Sequence, residues 1–227
     1  MAASPTGIVF AIYPGVTHLD FTGPHQVLAR LPGASLRVAS AAGGSIEADG
    51  LTFAGLGRLA DMESCDVLCI PGGFGCGEAM GDREFMAQVK RLAAGARYIT
   101  SVCTGSLILG AAGLLQGRRA ACHWAWRDLL PLFGAIPDPA RVVRDGDILT
   151  GGGVTAGIDF ALTLAAEIAG AEVAQAIQLS IEYAPAPPFD AGRPESAPPE
   201  VLARINALNA RLLPERREAV ARAAASL

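Results

Sequence analysis

Cys103 occupies the corner between a predicted strand and a predicted helix, within the segment 101–106, SVCTGS. Small residues lie two positions before it (Ser101) and two after it (Gly105), which is the sequence shape of a nucleophile elbow with Cys in place of Ser. A sulfur at a helix N-terminus would lie beside free N–H groups that favour thiolate. The pattern therefore predicts a nucleophile. The alternative is a small buried Cys that fills space after the strand.

Two further segments follow predicted strands and carry residues suited to catalysis. In the run Pro71 to Gly75, the amides of Gly72 and Gly73 could approach a ligand and hold negative charge beside the sulfur, or form an ordinary turn. Asp20 follows the first strand. It could face the thiol as a proton donor whose pKa a nearby thiolate raises, but on local sequence alone a helix N-cap is favoured.

The other cysteines and the histidines suggest no metal or imidazole chemistry. Cys65 and Cys69 are about 13 Å apart along a strand, and there is no Cys-x-x-Cys. The chain has only three histidines, none of them next to Cys103. A mechanism would then use carboxylate, backbone amides and water, unless His18 or His123 folds inward. The segment 151–156 fits G-x-G-x-x-A, but no later strand supplies a ribose-binding acid, so dinucleotide binding is not expected.

Predicted strands and helices alternate along most of the chain, which implies a parallel sheet between helices joined by right-handed crossovers. Ligands of such sheets bind beyond the carboxyl ends of the strands. Turn signals at 43–44 and 49–50 surround one predicted hairpin, and the signal at 145–146 indicates a second. The predicted strands are 7–13, 36–41, 66–70, 97–102, 142–144 and 147–150, and the predicted helices are 20–30, 84–94, 104–115, 123–133, 154–169, 172–183 and 200–224. We expect an α/β domain over 1–184, with a Pro-rich segment and C-terminal helix over 185–227 packed on it or on a dimer partner.

The composition fits a globular protein. Of 227 residues, 51% are hydrophobic and 18% charged, and the net charge of −4 gives no reason to expect nucleic acid or a membrane as partner. The most apolar stretch, 154–171, carries Asp159 and Glu167 and reads as a buried helix. The start at 1–5 lacks signal-peptide features, and five scattered cysteines suit a reduced, cytoplasmic protein.

Taken together, these motifs resemble the DJ-1/PfpI superfamily. The resemblance implies a flavodoxin-like α/β sandwich of the class I glutamine amidotransferase type, a homodimer and no cofactor. It runs through Leu-Asp-Phe-Thr-Gly-Pro, Pro-Gly-Gly, Cys-Thr-Gly, Gly-Gly-Gly-Val-Thr-Ala-Gly and the Pro-rich segment, at residues 13–16, 19–24, 70–73, 101–106, 150–159 and 182–192.

The resemblance also implies roles for single residues. The family's nucleophile maps onto Cys103, its acid/base carboxylate onto Asp20, and its anion-holding loop onto the amides of Gly72 and Gly73, with Thr104 beside the nucleophile. Many members use a Glu near the sulfur or a His after it, so Asp20 and Thr104 make protease or glyoxalase-like chemistry doubtful. The Leu-Asp-x-Thr-Gly-Pro segment and the Pro-rich tail favour the branch of hydro-lyases that converts isocyanides to N-substituted formamides through a Cys thioimidate.

Two alternatives to this activity belong to other classes. The Cys-Thr-Gly and Gly-Gly-Gly-Val-Thr-Ala-Gly motifs also occur in sensor halves of some transcription factors, so the chain could be a non-catalytic ligand-binding protein. The roughly 25 residues after Glu200 are too few for a DNA-binding domain, which argues against a regulator. Alternatively, an exposed low-pKa Cys103 would suit a thiol-redox or stress protein.

Overall fold

The structure is a computed structural model that describes residues 6–227. Residues 1–5, on which the expectation about a signal peptide rests, lie outside the described residues. In chain order the elements are β1 (Thr6–Ala11), α1 (His18–Leu28), β2 (Ala34–Ser40), β3 (Gly44–Ala48), β4 (Leu51–Arg58), β5 (Val67–Ile70), α2 (Cys76–Gly81), α3 (Arg83–Ala93), β6 (Tyr98–Val102), α4 (Gly105–Ala111), β7 (Arg119–Ala120), β8 (Ile136–Pro137), β9 (Val142–Asp145), β10 (Ile148–Gly151), α5 (Ala156–Ala169), α6 (Ala171–Ser180) and α7 (Pro199–Ala224), with 3₁₀ segments at Leu59–Asp61 and Arg127–Phe133.

An eight-stranded sheet runs in the order β3-β4-β2-β1-β5-β6-β10-β9. Neighbours from β4 to β10 pair in parallel, whereas β3 and β9 pair antiparallel as the outer strands. The helices pack in two groups, with α1 and α6 on α5, and with α3, α4 and α7 on α2. The predicted α/β, flavodoxin-like class is confirmed.

The central strands are buried along their length because helices cover the sheet. Every residue of β5, β6 and β10 is buried, which explains why β5 is a continuous apolar run and why none of the three alternates between apolar and charged residues. The carboxyl ends of β1, β5, β6 and β10 meet at one edge of the sheet, where the three segments selected from the sequence lie.

Two predicted helices differ from the observed ones. The helix expected over 104–115 ends at Ala111, because Gly113 adopts a left-handed conformation (φ +78°) that no helix continues. The helix expected over 123–133 is instead a 3₁₀ segment over Arg127–Phe133. Its Pro131 lacks the N–H that an α-helix would need there, and Gly134 closes it at φ +70°. Helix α2 and the short β7–β8 ribbon were not predicted.

Both predicted hairpins form. The β3–β4 hairpin turns at Asp49 (φ +52°) and Gly50 (φ +81°), and the ring of Phe53 on β4 packs edge-on against Phe21 of α1, with 4.9 Å between centroids. This contact folds the hairpin over α1 and brings Asp49 towards the carboxyl edge of the sheet.

The Pro-rich stretch is irregular, and α7 follows it. This helix packs on α2, α4 and the 3₁₀ segment at Arg127–Phe133, burying Arg216, Ala219 and Val220. No helix within residues 6–227 combines the length and the apolar character that crossing a membrane requires.

Candidate active site

Cys103 lies in a sharp turn between β6 and α4. Its φ is +58°, one of three positive values for non-glycine residues in the described part of the chain. That conformation is strained for a residue with a side chain and persists only where the surroundings hold it. Here the Cys103 N–H donates to the carbonyls of Gly152 (2.7 Å) and Gly151 (3.1 Å), at the end of β10. The neighbouring strand therefore fixes the direction of the thiol.

The small residues around Cys103 are required by packing. A Cβ atom at position 105 would collide with the carbonyl oxygen of Ile70, at the end of β5. The hydroxyls of Ser101 and Ser106 are 2.8 Å apart, and Ser106 donates to the carbonyl of Ala121. Both serines are buried, so larger side chains at either position would not fit.

Asp20 does not cap its helix, and the interpretation favoured from local sequence was wrong. The N-cap of α1 is Thr17, and Asp20 lies in the first turn with 1% of its surface exposed. Its Oδ2 accepts a hydrogen bond from the amide of Gly72, 52 residues away, at 2.9 Å. Its Oδ1 has no protein partner among residues 6–227. The carboxyl thus lies against Gly72, next to the turn that holds Cys103 and Thr104.

The pKa of Asp20 is raised from 3.8 to about 7. The main cause is burial, which removes water from the carboxylate. The charge of Asp49 adds to the rise, whereas the hydrogen bond from the Gly72 amide and the nearby Cys103 thiol lower the pKa. The direction matches the expectation, but its cause is mainly burial instead of repulsion by a thiolate. Asp20 can therefore gain or lose a proton near neutral pH.

The expected thiolate at Cys103 was wrong for the unliganded protein. Burial raises the pKa of Cys103 well above its ordinary value, and the negative charge of Asp20 raises it further. The hydrogen bond from the backbone of Thr104, at the start of α4, lowers the pKa but does not outweigh these two effects. The resting site is a neutral thiol beside a carboxyl group that titrates near neutral pH. When Asp20 is ionised, the pair shares one proton and carries one negative charge.

The amides of Gly72 and Gly73 are already hydrogen-bonded within the protein. Gly72 N–H donates to Asp20, and Gly73 N–H donates to the hydroxyl of Thr104 at 2.9 Å. A Cβ atom at position 72 would lie 2.5 Å from the Thr104 nitrogen and 2.8 Å from Asp20 Oδ2. These glycines therefore let Asp20 and Thr104 approach the loop closely. To hold an anion, each amide would have to give up its present partner.

Cys103 and Thr104 line a cavity of about 360 Å³. Its apolar wall consists of Trp124, Trp126, Val154 and Ile205. Other residues that contribute to the lining are Asp49, His123, Asn209 and Arg216. A volume of this size suits a small, mostly apolar molecule that reaches the sulfur at one end.

Sequence reasoning missed several of these lining residues. Asp49 lies on a hairpin whose turn was predicted, but its place over the cavity depends on how the hairpin folds against α1. Asn209 and Arg216 come from α7, and nothing in their local sequence points to a site. A polar residue on an otherwise packed helix face was the only available signal.

Arg216 is a buried cation, 8% exposed, without a carboxylate partner in the part of the chain that the structure describes. Its guanidinium lies 4.5 Å from the centre of the Trp126 ring and donates to the carbonyls of Gly73 and Phe74 at 3.4 Å each. These contacts join α7 to the loop that holds Asp20 and Thr104. Because an unpaired buried charge is costly, its retention here points to a role at the cavity.

His123 lines the cavity, so one of the two histidines considered from the sequence does face inward. Its Nδ1 accepts from the amide of Ala125 at 3.3 Å, and burial, aided by Arg216, lowers its pKa. The Cys76 thiol donates to the carbonyl of Thr104 at 3.3 Å, behind the catalytic turn. Within residues 6–227, no cluster of His, Cys, Asp and Glu has the makeup of a metal site.

Asp20→Asn should make the protein more stable at alkaline pH. The raised pKa means that the folded protein holds a proton which the unfolded chain releases, so wild-type stability is complete below about pH 4 and falls as the pH rises through about 7. Asparagine cannot ionise and still offers an oxygen to Gly72. Urea unfolding at about pH 8.5 should show a gain on the order of 4 kcal/mol that disappears towards pH 4. Equal pH dependence in both proteins would contradict the burial argument.

The sequence and the fold both match known proteins. The sequence profile of the DJ-1/PfpI family matches residues 6–167 of this chain. Isonitrile hydratase from Pseudomonas putida is 51% identical over 221 residues, 97% of each chain, and an HTH-type transcriptional regulator from Pseudomonas aeruginosa is 29% identical over 77% of this chain and 53% of its own. The crystal structure of a ThiJ/PfpI family protein from Pseudomonas syringae superposes with a TM-score of 0.91 at 41% identity, covering 97% of this chain and 91% of that one. The resemblance seen in the motifs is thereby confirmed, and the chain belongs to the DJ-1/PfpI family.

Proposed function

We propose that this protein is an enzyme that hydrates organic isocyanides, R–N≡C, to N-substituted formamides. The observation that carries the proposal is the buried thiol–carboxyl pair of Cys103 and Asp20 beside an apolar cavity. The substrate class comes from the relative named isonitrile hydratase, which is 51% identical along 97% of both chains. Isocyanides are small, uncharged and largely apolar, which suits the wall formed by Trp124, Trp126 and Val154.

The first step forms a covalent intermediate. The terminal carbon of the isocyanide receives the one proton that Cys103 and Asp20 share, delivered by the Asp20 carboxyl, and the sulfur of Cys103 bonds to the same carbon. The product is a thioimidate, R–N=CH–S–Cys103, and Asp20 is left as a carboxylate. The high pKa of the Cys103 thiol is no obstacle here, because Asp20 takes its proton as the substrate arrives.

The second step releases the formamide. Water adds to the thioimidate carbon while Asp20 accepts a proton from it and passes one to the nitrogen. The resulting adduct, R–NH–CH(OH)–S–Cys103, loses its hydroxyl proton to Asp20 as the C–S bond breaks. The formamide R–NH–CHO leaves, and the proton is again shared between the carboxyl and the thiol. Atoms and charges balance over the cycle without a cofactor.

The supporting residues place these groups. We propose that the Gly72 amide holds the Asp20 carboxyl in the direction of the sulfur, and that the Gly73 amide fixes the hydroxyl of Thr104 beside it. This positioning role replaces the anion-holding role expected for the two glycines, since both N–H groups already have partners.

We also propose that residues 185–227 belong to the catalytic unit formed by residues 1–184. Three residues of α7 line the cavity that contains Cys103, namely Ile205, Asn209 and Arg216, which supports packing on the same domain. The homodimer implied by the resemblance and the cytoplasmic location expected from the cysteines stay predictions.

The alternatives have less support. A thiol-redox role depends on a thiolate that peroxide can oxidise, and burial together with Asp20 raises the pKa of Cys103. A non-catalytic ligand-binding role does not account for two features of the site. These are a carboxyl group with a pKa of about 7 and a neighbouring cysteine held in a strained backbone conformation. Neither alternative predicts formamide.

The proposal is tested by offering the purified protein a panel of isocyanides, including cyclohexyl isocyanide and an aryl isocyanide. We expect catalytic formation of the matching formamide, identified by its formyl proton in NMR spectra and by mass. The buffer without protein gives the background. If no isocyanide of the panel yielded its formamide, the hydration proposal would be refuted. The ligand-binding and thiol-redox roles would then be the remaining alternatives.

A further inference from the structure

Two buried side-chain polar atoms have no hydrogen-bond partner within the described residues, and both belong to this site. One is Asp20 Oδ1, an acceptor beside Cys103, and the other is Asn209 Nδ2, a donor on α7. Asn209 lines the same cavity as Cys103. Buried polar groups in folded proteins almost always have a partner. An unpaired donor at a substrate cavity therefore indicates that a ligand atom completes it.

The chemistry of the site needs such a donor. The proposed second step places a new oxygen on the carbon attached to Cys103, and this oxygen gains electron density as it becomes a carbonyl. The amides of Gly72 and Gly73 are occupied by Asp20 and Thr104, and the hydroxyl of Thr104 is itself held by Gly73. The wall opposite is aromatic and aliphatic. Among the side-chain donors that line this cavity within residues 6–227, Asn209 Nδ2 is the one that is buried from water and has no partner.

We propose that Asn209 is a further catalytic residue whose side-chain NH₂ donates a hydrogen bond to the oxygen that water brings to the thioimidate carbon. This inference rests on the proposed hydration of isocyanides. The bond is made to the water oxygen as it attacks, to the hydroxyl of the tetrahedral adduct, and to the carbonyl of the departing formamide. No proton leaves Asn209 at any point, because Asp20 carries the proton transfers. Its contribution is to the second step and not to the formation of the thioimidate.

Arg216 positions this donor. It lies seven residues, about two turns, after Asn209, and Ile205 lies one turn before it, so all three project from the same face of α7. The guanidinium of Arg216 lies over the Trp126 ring and reaches the carbonyls of Gly73 and Phe74. These contacts hold the face of α7 that carries Asn209 over the cavity. Arg216 thus acts through Asn209 and through the loop.

The test compares Asn209→Leu and Asn209→Asp with a matched control, Asn206→Leu. Both Asn209 variants remove the NH₂ donor, one with an apolar and one with a polar side chain of similar size. Asn206 is exposed on the same helix and does not line the cavity containing Cys103. Each variant is mixed with cyclohexyl isocyanide. The concentration of formamide is followed over time, and the mass of the intact protein is measured by mass spectrometry during turnover.

We expect kcat to fall about 10²-fold in both Asn209 variants, the usual loss when one donor to a developing oxyanion is removed. Because only the second step slows, protein heavier by one isocyanide molecule should accumulate, whereas wild type and Asn206→Leu should stay unmodified. A misfolded variant would lose activity without forming this adduct, so the mass readout separates a catalytic from a structural effect.

Three results would overturn the inference. Normal turnover in both Asn209 variants, with active wild type, would show that the donor is not used. Slow turnover without accumulated adduct would show that Asn209 does not act in the second step. Absence of hydration by wild type would refute the proposed function itself, and this inference with it, and is distinguished from the other two by the wild-type assay alone.

Discussion

Cys103→Ala should abolish formamide production. The substitution removes the sulfur that bonds to the isocyanide carbon in the proposed mechanism, and no other nucleophile in the described structure shares its position at the turn between β6 and α4. We expect the rate of hydration to fall by about 10⁴-fold or more, as when a covalent nucleophile is deleted from other enzymes. Cys103→Ser should be as inactive, because Asp20, with a pKa of about 7, is too weak a base to activate a hydroxyl. Initial rates of formamide release measure both effects.

Cys69→Ala provides the matched control for this experiment. Cys69 is also buried, on the neighbouring strand β5, but its sulfur accepts a hydrogen bond from Thr100 and does not line the cavity. We expect its hydration rate to stay within about threefold of wild type, since the substitution removes a buried sulfur without touching the site. If Cys103→Ala kept near-normal hydration, the covalent mechanism would be wrong whatever the substrate.

Asp20→Asn should lower kcat/KM by about 10²–10⁴-fold, the usual contribution of a general acid or base. Asparagine can keep the hydrogen bond from Gly72 but cannot carry the proton between sulfur, carbon, water and nitrogen. Loss of folding is not expected to explain the result, because removal of the buried carboxylate should stabilise the protein at neutral and alkaline pH.

The pH dependence identifies Asp20 as the group responsible. In wild type, the fully protonated pair has no group able to accept the thiol proton, so kcat/KM should rise with pH through about 7 and then level off, since the pKa of Cys103 lies well above its ordinary value. This rise should be absent from the residual activity of Asp20→Asn. A wild-type profile without a rise near pH 7 would contradict the assignment.

Asp66→Asn is the control for Asp20→Asn. Asp66 also accepts a hydrogen bond from a glycine amide, Gly7 N–H at 2.7 Å, but at the opposite edge of the sheet, where β1 and β5 begin. We expect little change in hydration by this variant. A loss as large as that of Asp20→Asn would show that the effect arises from a general disturbance of the strands.

The alternation of apolar runs and turn residues was enough to predict most of the fold. A strand such as β5 is recognisable because helices cover both faces of the sheet, so that consecutive residues of the strand are apolar. The same rule located Cys103 at the carboxyl end of a strand, between the small residues that its tight turn demands. Failures such as the 3₁₀ segment at Arg127–Phe133 arose where a single proline outweighed the helical spacing.

The sequence by itself determined which strand end carries the candidate nucleophile, Cys103, because that information is local. Only the tertiary structure decided how the site works. The Asp20 carboxyl accepts from the distant amide of Gly72 and does not cap its own helix, and burial by neighbouring elements raises the pKa of the Cys103 thiol. Arg216 meets Gly73 across 143 residues, and Asn209 reaches the cavity with it. Contacts between such distant segments depend on how the helices pack against each other. A local pattern of residues does not determine this packing.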